Sequence, residues 1–295
     1  MTSFFLQMNR TRSRRDYNER TGSITQQLLT IVVGLSAVEN GAERPVSLPA
    51  TWNPQSRVDA ARRARSFANQ AALVWTMESV IGYVNDLMRE RPGVLGDDLR
   101  DSLRTITDKE SRLVALARAM GIADSVDLDL VRAGYVWRNR LTHLRARNAL
   151  KPDVISGLEM HAEHISEHFQ GLRTSDMILR IQGNNPPRLK EVSSVVRAAA
   201  QLVREIDGRV ISTVNLGDYV GELLKEHLSE PETADGAMRR AVGLWGGTAH
   251  ANARSIAAFA CQHGLAPSQS PTFDSSLDQM IPTEALALLL PGRGE

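Results

Sequence analysis

The sequence predicts an all-α protein: an antiparallel helical bundle with an additional helical region toward the C-terminus. Three observations predict it. Apolar residues recur at helical spacing through long stretches of the chain. Proline and glycine breakers fall between those stretches. The first four helical stretches follow one another with no convincing strand pair between them.

Taken in order, residues 1–22 are polar and arginine-rich and are expected to be loosely ordered. Ser23 to Asn40 reads as a helix, with Ser23 able to cap it and Gly41 able to end it. Pro45, Pro49 and Pro54 make Gly41 to Gln55 an extended linker. A long helix follows from about Val58 to Arg91, with Phe67, Ala71, Val74, Ile81 and Met88 at helical spacing and Pro92-Gly93 as its stop. A second runs from about Gly96 to Met120, carrying Leu99, Leu103, Ile106, Leu113 and Leu116 toward a C-cap at Gly121. A third starts near Asp124 or Ser125, includes Leu128, Val131 and Tyr135, and runs into Arg138-Asn139-Arg140-Leu141-Thr142-His143. Pro152 precedes a fourth, from about Asp153 to Leu172, with Ile155, Leu158, Ala162, Ile165, Phe169 and Leu172 as its stripe.

Gly183-Asn184-Asn185-Pro186-Pro187 is the strongest breaker and is expected to mark a domain boundary. Beyond it, Leu189 to Ile206, Asn215 to Leu228 and Thr233 to His263 read as helices, and β-branched Val210 to Val214 as a short strand or extended link. Residues 266–282 are expected to be irregular, and Leu286 to Leu290 to form an apolar tail that needs a partner surface. The expected division is an arm, helix and linker over 1–55, a bundle over 56–175, a C-terminal helical region over 188–265 and a tail over 266–295.

Composition narrows the function. The chain has 295 residues, 42% hydrophobic and 23% charged, with a formal net charge of +1. A basic coat for nucleic acid is absent, so any such binding uses local patches. Arginines cluster at 10, 12, 14 and 15, at 62, 63 and 65, and at 138, 140, 145 and 147. The first two clusters read as solvated helix faces. Cys261 is the single cysteine, which excludes an internal disulfide and a cysteine-based zinc site. It follows the apolar run Ile256 to Ala260 and is expected to be a buried structural thiol. No segment is expected to span a membrane. Leu28 to Val38 is short and interrupted by Thr30, Gly34 and Ser36. Ser13-Arg14-Arg15 is followed by Asp16 and Glu19 and by no clean cleavage site, against an export signal. A cytoplasmic location is the expectation.

The chemistry concentrates at Arg138, Asn139 and His143, a cation, an amide and an imidazole within little more than one helical turn. Arginine binds phosphate bidentately. Histidine moves protons near neutral pH. Together they supply what RNA cleavage needs without a metal: a group to take the 2′-hydroxyl proton or protonate the leaving oxygen, and a group to neutralise charge growing on phosphate. Asn139 can orient either one. Glu78 lies between Val74 and Ile81 on an apolar helix face. It reads either as a partner to Arg138 or His143, or as a helix-edge glutamate reaching solvent.

Arg138, Asn139 and His143 match the R-N-x-x-x-H motif of the HEPN superfamily, which residues 56–175 resemble in helical organisation. The resemblance implies a helical bundle of four or five helices, often dimeric, with the motif at the end of the third main helix. It also implies metal-independent endoribonuclease activity in toxin–antitoxin, abortive-infection or other antiviral defence systems, with two copies of the motif in one dimer cleft. Arg140, Arg145 and Arg147 are then candidate RNA-backbone contacts. Trp137 could stack on a base, although core packing is the preferred reading.

Two other groupings are set aside. His161, His164 and His168 share a helix side but flank the apolar stripe, which reads as a surface row rather than a zinc site. Gly243 to Thr248 is glycine-rich without the lysine of a phosphate loop, and reads as a kink or close helix contact. The expected protein is an endoribonuclease, a homodimer with an RNA substrate and room for an antitoxin or defence partner, requiring no cofactor and no membrane. The rival expectation is a non-catalytic helical interaction module, an antitoxin or scaffold using the same fold to dimerise.

Overall fold

The computed structural model describes residues 6–47, 51–90, 94–143, 148–231, 233–267 and 280–290. The fold class is all-α. A two-stranded antiparallel sheet, β1 (Leu6–Met8) with β2 (Leu265–Pro267), is the only sheet among the described residues, paired so that Gln7 faces Ala266. The chain forms two compact units, one of Asp16–Val84 and Ile106–Ile206, the other of Met1–Arg15, Asn85–Thr105 and Asp207–Glu295.

The first unit holds α2 (Ile24–Glu39), most of α3 (Arg57–Arg89), α5 (Lys109–Ala119), α6 (Val126–Thr142), α7 (Pro152–Met160), α8 (Ala162–His168), α9 (Thr174–Gln182) and the first two-thirds of α10 (Leu189–Thr213). Helix α6 is its axis. Every residue from Leu130 to Arg138 is buried. A helix buried on all sides has no polar stripe, and its neighbours must supply the covering surfaces. Helices α5 and α7 pack on it. Gly134 allows a close approach of α3 and α10. A Cβ there would stand 2.8 Å from Val195 Cγ1 of α10 and 2.9 Å from Met77 Sδ of α3. Helix α10 answers with an apolar face of Val192, Val195, Ala199, Leu202 and Ile206.

The second unit holds β1, α4 (Asp97–Thr105), α11 (Leu216–Ser229), α12 (Ala234–Trp245), α13 (Ala249–Gln262), β2 and α14 (Pro282–Leu289). Helix α12 packs against α11, α13 and α14. The apolar tail around Leu286 thus finds its partner surface within the chain, as α14 on α11 and α12. Helix α1 (Arg12–Thr21) begins in this unit and ends in the other.

Several sequence expectations change. Residues 6–21 are ordered: Leu6, Thr11, Ser13 and Tyr17 are buried. The stretch 96–120 is two helices, because the Asp108 side chain accepts the backbone N–H of Ser111 at 2.7 Å and starts α5 afresh. Gly121 follows α5 at φ +72°, a left-handed stop that glycine adopts without strain. The stretch 153–172 breaks at His161 between α7 and α8. Residues 210–213 continue α10 rather than forming a strand. The stretch 233–263 divides at Gly246-Gly247, where Thr248 caps α13 by accepting the Ala251 N–H. Gly183 to Pro187 is a turn between α9 and α10 inside one unit. Cys261 is exposed, on the last turn of α13, whose buried side is Ile256, Phe259 and Ala260.

The N-terminal region differs from expectation in a second way. Arg12–Glu39, which takes in α1 and α2, contains an 18-residue window of mean hydropathy 1.3, sufficient by length and composition to cross a bilayer. Only 11% of that window is buried. The run extends beyond Leu28 to Val38 because residues 21–38 carry no charge and Ile24 adds to the apolar total, against the polarity of Gln26 and Gln27.

Gly134→Ala should lower stability to urea by about 1–3 kcal/mol, since overpacking outweighs the helix-propensity gain of about 1 kcal/mol. Gly208→Ala on α10, where an added Cβ meets nothing within 4 Å, should instead stabilise by roughly 0.5–1 kcal/mol. Equal effects at the two positions would contradict the close approach at Gly134.

Candidate functional site

Arg138 lies at the point where α6 leaves the core. Residues before it are buried, Asn139 and Arg140 are half-buried, and Leu141, Thr142 and His143 are exposed. The motif therefore crosses from interior to solvent along one helix end.

A buried guanidinium requires counter-charge and hydrogen-bond acceptors. Glu78 of α3 supplies both. Its Oε1 accepts Arg138 Nε at 2.7 Å and also Arg138 Nη2. Arg138 Nη1 donates to Asn139 Oδ1 at 2.9 Å. The Arg138 side chain is 8% exposed and the Glu78 side chain 44%, so the pair is dry at the arginine and wet at the carboxylate. Both sequence readings of Glu78 hold at once, since it pairs with Arg138 and also reaches solvent. The contact with Arg138 fixes the Asn139 amide with its oxygen inward, leaving the Nδ2 donors for another acceptor.

His143 is the C-cap of α6. Its backbone is extended (φ −126°, ψ 105°), and its N–H donates to Asn139 O at 3.0 Å. The extended backbone turns the chain out of the helix and leaves the side chain in solvent.

The flanking arginines have different fates. Arg140 donates from Nε and Nη2 to Asn148 O and from Nη1 to Ile181 O. All three guanidinium nitrogens thus serve backbone carbonyls, Asn148 in the link before α7 and Ile181 in the last turn of α9. Burial lowers its pKa. Arg145 and Arg147 lie outside the described residues. Trp137 is 3% exposed and donates from Nε1 to Asn185 O at 3.0 Å, which makes it a core residue. The rings of His164 and His168 stack at 4.1 Å. Among the described residues, no group of three or more histidine, cysteine, aspartate or glutamate side chains is placed to hold a metal ion.

The sequence reading missed a second polar network on the same helix. Arg132, 8% exposed, bonds Glu110 of α5 at 3.1 Å and Asp153 of α7 at 2.8 Å, and lies 3.7 Å from Asp129. Lys151 reaches Glu110 at 3.0 Å. Asp129 is pushed up to about 6 by burial, against the pull of Arg132. Asp127 is also pushed up to about 6, first by burial and then by Glu205, against Arg197. Next to this network, Tyr135 is buried with its hydroxyl unpartnered among the described residues, and burial raises its pKa. The run Asp127-x-Asp129-x-x-Arg132 carried a signal, since three charges precede an uninterrupted apolar stretch.

Two measurements test this geometry. Glu78→Gln should destabilise the fold by about 1–3 kcal/mol, less than a fully buried pair because water can reach the carboxylate. A loss below roughly 0.5 kcal/mol, typical of a surface pair, would contradict the buried guanidinium. For Asp127, the folded chain holds the proton more tightly than the unfolded chain does. That contribution is fully present below the ordinary value of 3.8 and is lost as pH rises through about 6. Asp127→Asn should therefore stabilise more at pH 7.5 than at pH 4.5, by about 1 kcal/mol after solvent screening. A pH-independent effect would show that its carboxyl is not buried.

Comparison with known proteins adds little to this geometry. No protein-family profile matches the chain. No solved structure matches it. Over 99 residues it is 34% identical to the tRNA uridine 5-carboxymethylaminomethyl modification enzyme MnmG of Porphyromonas gingivalis, a stretch that covers 34% of this chain and 15% of that protein.

Proposed function

We propose that this protein is a metal-independent endoribonuclease of the HEPN kind, acting as a homodimer in a toxin–antitoxin or antiviral defence setting, with the motif Arg138, Asn139 and His143 as its reacting groups. One observation carries the reading. A buried arginine, clamped by Glu78 and Asn139, stands five residues before a solvent-exposed histidine at the end of the same helix.

In the proposed reaction the ribose 2′-oxygen attacks the adjacent phosphorus and the bond to the 5′-oxygen breaks. His143 either takes the 2′-hydroxyl proton or delivers one to the departing 5′-oxygen. Arg138 uses three of its five N–H groups on Glu78 and Asn139, which leaves two to meet charge on the phosphate. Asn139 Nδ2, held outward by the Arg138 contact, adds a neutral donor. The products carry a 2′,3′-cyclic phosphate and a 5′-hydroxyl. The tRNA-modification enzyme MnmG acts on RNA, as its name says, but the shared stretch is 15% of it, too small a part to carry an activity across.

A second reading is supported by a different observation. Helices α2 and α3 border an open apolar groove of about 660 Å³, lined by Leu28, Ile31, Phe67 and Trp75 among others. Phe67 and Trp75 are 74% and 58% exposed. A groove of this kind suits a non-catalytic helical interaction module, such as an antitoxin or scaffold.

Purified protein should cleave RNA in the presence of EDTA and leave the stated end groups. His143→Ala should lower the rate by about 100-fold or more while the circular dichroism spectrum and melting temperature stay unchanged, since His143 is exposed. Cleavage undiminished in His143→Ala would remove it from the site. Absence of cleavage by the wild-type chain, with or without divalent ions, favours the interaction module.

A further inference from the structure

The second unit contains a cavity of about 430 Å³ that the motif chemistry does not use. Of the ten described residues lining it, four are arginines, Arg10, Arg12, Arg14 and Arg15, and none is acidic. Cys261 stands in its wall. The sequence suggested solvated helix faces for this cluster. The structure instead wraps the arginines around a concave site.

The backbone shows why the cluster is held in place. The first turn of α1 is fixed by two carboxylates distant in sequence. Asp207, fully buried, accepts the Thr11 N–H at 3.2 Å, the Thr11 hydroxyl, and Arg14 Nη1 at 3.4 Å. Glu90 accepts the Arg12 N–H at 3.0 Å, the Ser13 N–H at 3.2 Å, and the Ser13 hydroxyl. Burial pushes both carboxyls up. A helix start anchored in this way presents its arginines from a rigid base, which lowers the ordering cost of binding a ligand.

We propose that this cavity is a binding site for a small phosphorylated ligand of nucleotide size, recognised through its phosphates. Guanidinium groups match phosphate oxygens in pairs, and lining of one charge sign focuses the field on an anion. The volume lies within the range of small-molecule pockets, roughly 300–1,000 Å³. A concave pocket lined by ten described residues fits a compact polyphosphate better than an extended strand, which needs a basic stripe. Arg10 and Arg12 are the exposed arginines of the lining, whereas Arg14 is held by Asp207, so they are the residues to replace. The inference does not depend on the ribonuclease reading and concerns other residues.

The single cysteine provides the assay. Alkylation of Cys261 by a maleimide should be slowed by inorganic tripolyphosphate and by ATP, in a manner that weakens with salt. Calorimetry on the full chain should show the same two compounds binding. The Arg10→Ala/Arg12→Ala protein should bind at least about tenfold more weakly and lose the protection, whereas Arg62→Ala/Arg63→Ala, an exposed arginine pair on α3 that does not line the cavity, should keep both. Both double variants replace surface side chains, and their melting temperatures verify folding. The proposal is overturned if neither compound protects Cys261, or if Arg10→Ala/Arg12→Ala retains full affinity. It is also overturned if a short single-stranded RNA protects the thiol and the two small compounds do not, which would assign the cavity to a nucleic-acid strand.

Discussion

The buried guanidinium of Arg138 sets the terms for the first unit. Arginine stays charged at any pH a protein meets, so it cannot relieve burial by losing its proton. It must be given a counter-ion, and Glu78 of α3 is that ion. The contact fixes the end of α6 relative to α3 and, through Nη1, fixes the rotamer and amide orientation of Asn139. The helix that carries the arginine has no solvent face over Leu130 to Arg138. Its rotation is therefore determined by polar contacts at its two ends, Arg132 with Glu110 and Asp153 near the start and Arg138 with Glu78 near the finish. Between them Gly134 permits the close approach of α3 and α10. Polar pairs at the rim of an apolar contact specify orientation more than they add stability.

This arrangement explains what the sequence could and could not reveal. Helical periodicity located most of the long helices, because an apolar stripe is a local property. It merged helices wherever the stripe stayed in phase across a break. Asp108 and Thr248 start new helices through a side-chain oxygen one turn ahead, and neither interrupts the apolar repeat. The N-terminal arm failed for the opposite reason. Its polarity is real, but Thr11 and Ser13 are satisfied by Asp207 and Glu90, partners 196 and 77 residues away that no local pattern exposes. The same arm turned a run of arginines from a solvated face into the lining of a cavity. Cys261 was misplaced by a single step around α13, since a one-residue shift on a helix moves a side chain by about 100° and takes it off the buried side of Ile256 and Phe259.

Within the candidate site, Glu78 was legible because a carboxylate between Val74 and Ile81 needs a cation. Its dual character was not. Only the structure separates the dry end of the pair from the wet one. Arg140 was illegible as a structural residue because its acceptors are carbonyls, at Asn148 and Ile181, which any residue type could supply. An arginine near a motif invites a phosphate reading, yet helix ends also need cations to satisfy their last carbonyls. Here one helix-end carbonyl, Ile181 of α9, and one link carbonyl, Asn148, take the side chain.

The geometry also constrains how the proposed chemistry could be completed. Transesterification of RNA moves two protons, one off the attacking hydroxyl and one onto the leaving oxygen. One exposed imidazole can serve one of those steps at a time. Arg138 cannot serve the other, because it never releases a proton and three of its donors are already engaged. Glu78 is committed to that arginine, its Oε1 accepting two of the guanidinium N–H groups. Tyr135 is buried away from solvent, and burial raises its pKa, so it is a poor donor to a substrate in water. Within one chain the described residues thus offer a single proton carrier at the motif. A second His143 from another copy of the chain is the simplest source of the missing one, which makes self-association part of the proposed mechanism rather than an addition to it.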